Sequence, residues 1–140
     1  MHTDLEKAKM YLQTENCTCV LYRGEEVYYS YHRGVRPLLD FLDRGKDFTG
    51  FSAADKVVGR ATAFLYCLLG VREVFAQVLS DAAVEVFTRQ GIAFFCETRV
   101  SAISNRESTG PCPMEHATKN ISDPHRALDA IRATLKKLQN

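Results

Sequence analysis

"SAADKVVGRATAFLYCLLG", residues 52–70, is the stretch on which the fold turns. Ala53, Val57, Ala61, Phe64 and Leu68 recur at helical spacing, and Ala54, Val58, Leu65 and Leu69 widen the stripe. The pattern predicts one long helix, apolar over so much of its circumference that it belongs at the centre, packed on a sheet. Ser52 would cap it with Asp55 three positions on, and Gly70 would end it. Gly59 costs helix stability relative to alanine, so its presence predicts a close neighbour, a packed strand in preference to a ligand. Lys56 in a first turn would oppose the helix dipole, which calls for a partner such as Asp55 or a bound anion.

The flanking segments supply the sheet and its other helices. Residues 3–15 predict a helix, with Thr3 as cap, Glu6 three positions later, and a stripe of Leu5, Ala8 and Leu12. "CTCVLYRGEEVYYSYH" reads as a hairpin turning at Arg23-Gly24-Glu25. "GVRPLLDFLDRG" gives a short helix with Pro37 in its first turn and Gly45 past its end. "REVFAQVLS" follows as an apolar strand, "DAAVEVFTRQG" as a helix, "IAFFCET" as a buried strand and "RVSAI" as a candidate further strand. After a loop at 104–112 come a short helix, "PMEHATKN", and a terminal helix capped by Asp123 before Pro124. The expected order is α-β-β-α-α-β-α-β-(β)-α-α. Alternation of this kind predicts a three-layer α/β/α fold, a mixed central sheet with helices on both faces.

Composition narrows the function classes. The chain has 140 residues, 46% apolar and 25% charged, which fits one domain spanning residues 1–140. A net charge of +1, with the basic residues scattered, argues against nucleic acid as a partner. The start, "MHTDLEKAKMYLQ", lacks an apolar export core, and no apolar run approaches the roughly 18 residues of a membrane span. Cys17, Cys19, Cys67, Cys96 and Cys112 are odd in number, and four lie in apolar patterns. Buried thiols in a reducing cytoplasm are the expectation, rather than a disulfide framework.

"RGVRPLLDFL", "SAADKVVGRA", "VFAQVLSDAAVEVF" and "NRESTGPCPMEHA" resemble an uncharacterised prokaryotic family known as a domain of unknown function. The resemblance covers roughly residues 4–130 and implies a cytidine-deaminase-like fold. Zinc nucleobase deaminases place His/Cys-x-Glu at one helix start and Pro-Cys-x-x-Cys at the next. Here the first start offers Ser52 and Ala53, and the next, "SDAAVEVF", has no cysteine. Pro111-Cys112 comes one strand and one helix too late, with Glu115 where a second cysteine would stand. Zinc is therefore not expected, and no other cofactor can be read from the sequence.

Several side chains could still carry chemistry, each beside a plainer role. Cys112 precedes Pro113 at a helix start, where backbone N–H groups favour a thiolate. It reads as a nucleophile or as a half-buried thiol. Glu115 occupies the position of a capping-box acid and is otherwise a candidate general base. Asp55 is either the partner of the Ser52 cap or, together with Lys56, a ligand contact. Arg33 and Arg36 would pair with Asp40 or Asp43, or clamp an anion. Asn105 and Arg106, in the loop leading to Cys112, offer a similar choice. His32, His116 and His125 have no liganding spacing, so no metal site is expected. Tyr28, Tyr29 and Tyr31 alternate along a strand and would pack or line an interface, so a homo-oligomer is conceivable.

Two functions follow. In the first, the chain binds a small anionic or nucleotide-like ligand in a cleft near Lys56 and Cys112, without zinc chemistry. The alternative is a zinc-independent hydrolase or transferase with Cys112 as nucleophile, Glu115 or Asp55 handling protons, and Lys56 with Arg106 holding an anion.

Overall fold

The computed structural model describes residues 3–104 and 112–139. Helix α1 (Asp4–Glu15) leads into a hairpin of β1 (Cys19–Arg23) and β2 (Glu26–Ser30). Then come α2 (Arg36–Asp43), β3 (Ser52–Val58), α3 (Arg60–Leu69), β4 (Glu73–Ser80), α4 (Asp81–Gln90) and β5 (Ala93–Val100). Two helices close the chain, α5 (Pro113–Thr118) and α6 (Pro124–Gln139). The five strands form one sheet in the order β2-β1-β3-β4-β5. β1 runs antiparallel to β2 and β3, whereas β3, β4 and β5 are parallel.

The expected long helix over residues 52–70 is two elements. Residues 52–58 are the central strand and only residues 60–69 are helical, with Gly59 between them. A strand buried on both faces has a near-continuous apolar run, and alanines at Ala53 and Ala54 give that run no period of its own. The β-branched pair Val57-Val58 favours the strand, and the parallel partner β4 then requires the α3 crossover. Ser52 is consequently no helix cap. Its hydroxyl donates to Glu73 Oε2 on β4 at 2.6 Å. "RVSAI" likewise adds no strand, since β5 continues through Arg99 and Val100.

Other elements follow their local chemistry. Thr3 Oγ1 accepts from the Glu6 N–H at 3.1 Å and caps α1. Gly24, at φ +62°, opens the two-residue hairpin turn between the paired Arg23 and Glu26. Ser80 caps α4 by accepting from the Ala83 N–H at 3.1 Å.

Helices cover both faces of the mixed sheet, giving the three-layer α/β/α plan that was expected. On one face α1 packs against β1, β3 and β4, burying Ala8 and Leu12 with Cys17, Val20, Ala54 and Phe75. The opposite face holds the main core, with Leu21 and Ala53 of the sheet against Phe64, Leu65 and Tyr66 of α3 and Val86 and Phe87 of α4. α6 lies along α3 and α5, sinking Ala127 and Ile131 into the same core. Phe41 of α2, Phe48, Phe51 and Tyr28 form an aromatic cluster whose contacts are edge to face except the tilted Tyr28–Phe51 pair. Each such buried ring contributes roughly 1.5–3 kcal/mol by leaving water.

Candidate functional site

Gly59 joins the carboxyl end of β3 to α3 and is the N-cap of that helix, with no side chain of its own to offer. The cap comes from another element. Glu115 of α5 accepts from the Arg60 N–H through Oε1 at 2.9 Å and from the Ala61 N–H through Oε2 at 3.2 Å. A Cβ at position 59 would lie 2.5 Å from Glu115 Oε1. The close neighbour at Gly59 is thus not the expected strand but a carboxylate from α5, placed where the helix dipole favours a negative charge. Arg60 completes the joint. Its Nε donates to the Thr118 carbonyl at 2.8 Å and its Nη2 to the Ile121 carbonyl at 2.6 Å. Glu85 stands 3.7 Å from Nη1.

Glu115 is therefore a cap, but not of its own helix. Cys112 is the N-cap of α5 and makes no side-chain cap bond there. Its backbone N–H donates to the Ile103 carbonyl at 3.1 Å, and its half-buried thiol packs against the main core. Both carboxylate oxygens of Glu115 accept from the first N–H groups of α3, which makes it the cap of that helix.

Asp55 lies at the sheet's centre, 8% exposed, opposite Cys19 of β1. Its Oδ2 accepts from the Tyr66 hydroxyl at 2.6 Å and its Oδ1 from the Val57 N–H at 3.1 Å. Burial pushes the carboxyl up to about 7, against the opposing pull of those hydrogen bonds. Burial, and then the neighbouring Asp55 charge, push the Tyr66 hydroxyl and the Cys19 thiol well above their ordinary values. Lys56 takes no part. In a strand, successive side chains leave by opposite faces, and the Lys56 ammonium donates to Asn16 Oδ1 at the end of α1, at 2.8 Å. The structure separates the pair that a helix would have kept on adjoining faces.

Arg33 and Arg36 are exposed at the loop before α2 and in its first residue, and neither forms an ion pair among the described residues. Asp43, one of their expected partners, bonds instead to Arg132 at 2.9 Å. Beside this segment lies an open hollow of about 310 Å³, between the end of β2 and α2. Tyr29, Tyr31, His32, Asp40 and Arg44 are its polar and aromatic lining, over Pro37 and Phe41. Tyr29 and Tyr31 meet edge to face at 5.8 Å, and Arg44 lies over the Phe41 ring at 5.5 Å. Asn105 and Arg106 lie outside the described residues. Among the described residues no group of three or more His, Cys, Asp or Glu side chains is placed to hold a metal ion. No described helix is long and apolar enough to cross a membrane.

The sequence left two features of this geometry unassigned. A single helix over residues 52–70 puts Arg60 in its interior, where its role as a buried clamp on the end of α5 and the loop after it has no signal. The tyrosines were singled out, but their meeting with α2 depends on how the loop at 31–35 turns, at Gly34 with φ +71°.

Comparison with known proteins places these features in a family. The model of the TM1506 family, Domain of unknown function (DUF1893), matches residues 7–135. A crystal structure of a DUF1893 family protein from Thermotoga maritima superposes with a TM-score of 0.85 at 22% identity, covering 98% of this chain and 92% of that one. A dCMP deaminase from the cyanophage S-TIM5, in apo form, gives a TM-score of 0.46 at 10% identity over 69% of this chain and 93% of its own. No curated protein sequence matches the chain.

Proposed function

The chain belongs to the TM1506 family, domain of unknown function DUF1893, and on that premise we propose that it is a non-catalytic binding domain for a small, anionic, nucleotide-like ligand. The ligand sits in the hollow between β2 and α2. The carrying observation is the hollow itself, whose volume of about 310 Å³ reaches the lower end of small-molecule sites. Its lining divides by chemistry. Tyr29 and Tyr31 offer ring faces to a base, and Asp40 offers an acceptor to sugar hydroxyls. Arg44 at the wall supplies a guanidinium fork to a phosphate, and the exposed Arg33 and Arg36, next in sequence to the lining residues His32 and Pro37, would add theirs.

This reading moves the ligand from the expected cleft near Lys56 and Cys112, because Lys56 is tied to Asn16 and faces away from Asp55. The alternative enzyme, with Cys112 as nucleophile, has less support. Its two candidate bases serve elsewhere, Glu115 on α3 and Asp55 beneath Tyr66.

Calorimetric titration with AMP, ADP, adenosine and inorganic phosphate tests the proposal. A nucleotide should bind more tightly than adenosine or phosphate alone. Arg36→Ala and Tyr31→Ala should each weaken it roughly tenfold, as expected for the loss of about 1.4 kcal/mol. Lys56→Ala should leave affinity unchanged. A loss confined to Lys56→Ala would return the site to the β3 region, and turnover abolished by Cys112→Ser would establish the enzyme instead.

A further inference from the structure

β5 ends the sheet on the side away from the hairpin, and among the described residues no strand pairs with its outer edge. It is eight residues long, and six of them are exposed, with Phe94 and Val100 half-buried. Two uncovered surfaces meet here. Among the described residues the outward N–H and C=O groups of the backbone edge have no strand partner, and Phe95 is 50% exposed on the face it shares with its partner Phe75. The α1 layer lies over β1, β3 and β4 and buries Phe75 to 4% exposure, so the cover stops one strand short of Phe95. A long edge strand with an exposed ring is a template for another strand unless something blunts it.

The sequence of β5 says which strand. Pairing two copies of this edge about a two-fold axis normal to the sheet keeps each residue on its own face, so partners must have the same parity. Centring the axis on Thr98 sets Thr98 against Thr98 of the second copy. It also sets Glu97 against Arg99 and Arg99 against Glu97, two opposite-charge pairs from one motif. Shifting the centre to Glu97 would oppose two carboxylates, and centring on Cys96 would set Glu97 against Phe95. Cross-strand pairs decide such registers, since opposite charges stabilise and like charges directly opposite destabilise.

We propose that the protein forms a symmetric dimer by antiparallel pairing of β5 with β5 of a second copy, in the register that joins Glu97 to Arg99. The occupant is a second copy because the charge pattern is self-complementary, as an isologous interface requires. The two sheets then become one continuous sheet of ten strands, with Phe95 from each copy beside the junction. Arg99, which bonds to Asp81 at 2.6 Å within its own chain, gains Glu97 of the second copy as an additional partner.

Sedimentation equilibrium of the full chain tests this, with circular dichroism confirming that each variant folds. The wild type is expected to dimerise, and Glu97→Arg alone and Arg99→Glu alone should each weaken the dimer by roughly tenfold or more. The combined exchange, Glu97→Arg with Arg99→Glu, should restore it, because the pairs re-form with their signs swapped. In Val100→Cys, position 100 faces Cys96 of the second copy, and mild oxidation should give a covalent dimer bridged between those positions. A wild type that stays monomeric at all concentrations overturns the proposal. So does a dimer that neither single reversal weakens, or one that the combined exchange leaves as weak as the single variants.

Discussion

Among the described residues, Asp55 is held by hydrogen-bond donors and by no cation. Tyr66 and Val57 supply the donors, and the adjacent ammonium of Lys56 leaves by the other face. Desolvation therefore wins, and the carboxyl is pushed up to about 7. The sign for stability follows. Between about pH 4 and 7 the folded chain keeps a proton that the unfolded chain has released, so stability falls as pH rises through that window. Below it both states are protonated and the difference vanishes. Above it the full cost is present, at most about 4 kcal/mol for a shift of this size. Asp55→Asn cannot ionise, so its urea-unfolding free energy should lack this decline. At pH 8 it should exceed the wild type by about 2–3 kcal/mol, after roughly 1 kcal/mol is lost with one of the two accepted hydrogen bonds. Parallel pH profiles for the two proteins would rule Asp55 out as the titrating group. Tyr66→Phe removes the strongest donor and should cost more stability at pH 8 than at pH 4, measured in the same way.

At the scale of elements, the joint between β3 and α3 is where the chain departs most from a local reading. Glu115 lies 55 residues beyond Arg60 yet supplies the acceptors for the first N–H groups of α3. Gly59→Ala would push that carboxylate off the helix, because the new methyl group would stand 2.5 Å from Oε1, well inside contact distance. Losing a cap of this kind costs about 1–2 kcal/mol, and Glu115→Ala should cost about the same. The two changes should not add, since either one alone removes the same contact. In the Glu115→Ala background, Gly59→Ala is expected to be nearly neutral by thermal unfolding. Full additivity would mean that the glycine is required for some other reason. The same joint explains how far the sequence could be read. Hairpin, terminal helices and the strands β4 and β5 announced themselves through apolar and β-branched runs and caps, although β5, expected to be buried, is exposed along most of its length. The need for a neighbour at Gly59 was also visible, because the glycine's cost is local. That residues 52–58 form a strand was not visible, since Ala53-Ala54 suits helix and doubly buried strand alike and only pairing with β1 and β4 decides. The partner of Gly59 was hidden for the same reason. Capping chemistry can be read within a helix, but a cap donated across the fold depends on packing that no local pattern encodes.

Across the whole molecule, burial is graded from the centre of the sheet to its edges. β3 is buried over most of its length between β1 and β4, with α1 above and α3 below, while β5 is exposed along most of its length. The hollow assigned to ligand binding and the edge assigned to pairing thus lie at opposite margins, one at β2 and the other at β5. That separation lets either surface be occupied without disturbing the other, and it makes the local stability of each independently measurable. Amide exchange should follow the same gradient. In dilute protein, the amides of β3 and the first turns of α3 should open only with global unfolding, at the 5–15 kcal/mol typical of such domains, roughly. In β5, the amides that bond to β4 should open at lower free energy, and those on the outer edge should exchange almost without protection. Raising the protein concentration should slow the outer-edge amides of residues 96–100 and leave those of β2 unchanged. A nucleotide bound in the hollow should do the reverse, slowing exchange at Ser30 to Asp40 and leaving β5 as it was. Outer-edge amides of β5 that are as slow as β3 in dilute protein would contradict the graded sheet itself, because they would need a covering element that the strand order does not supply.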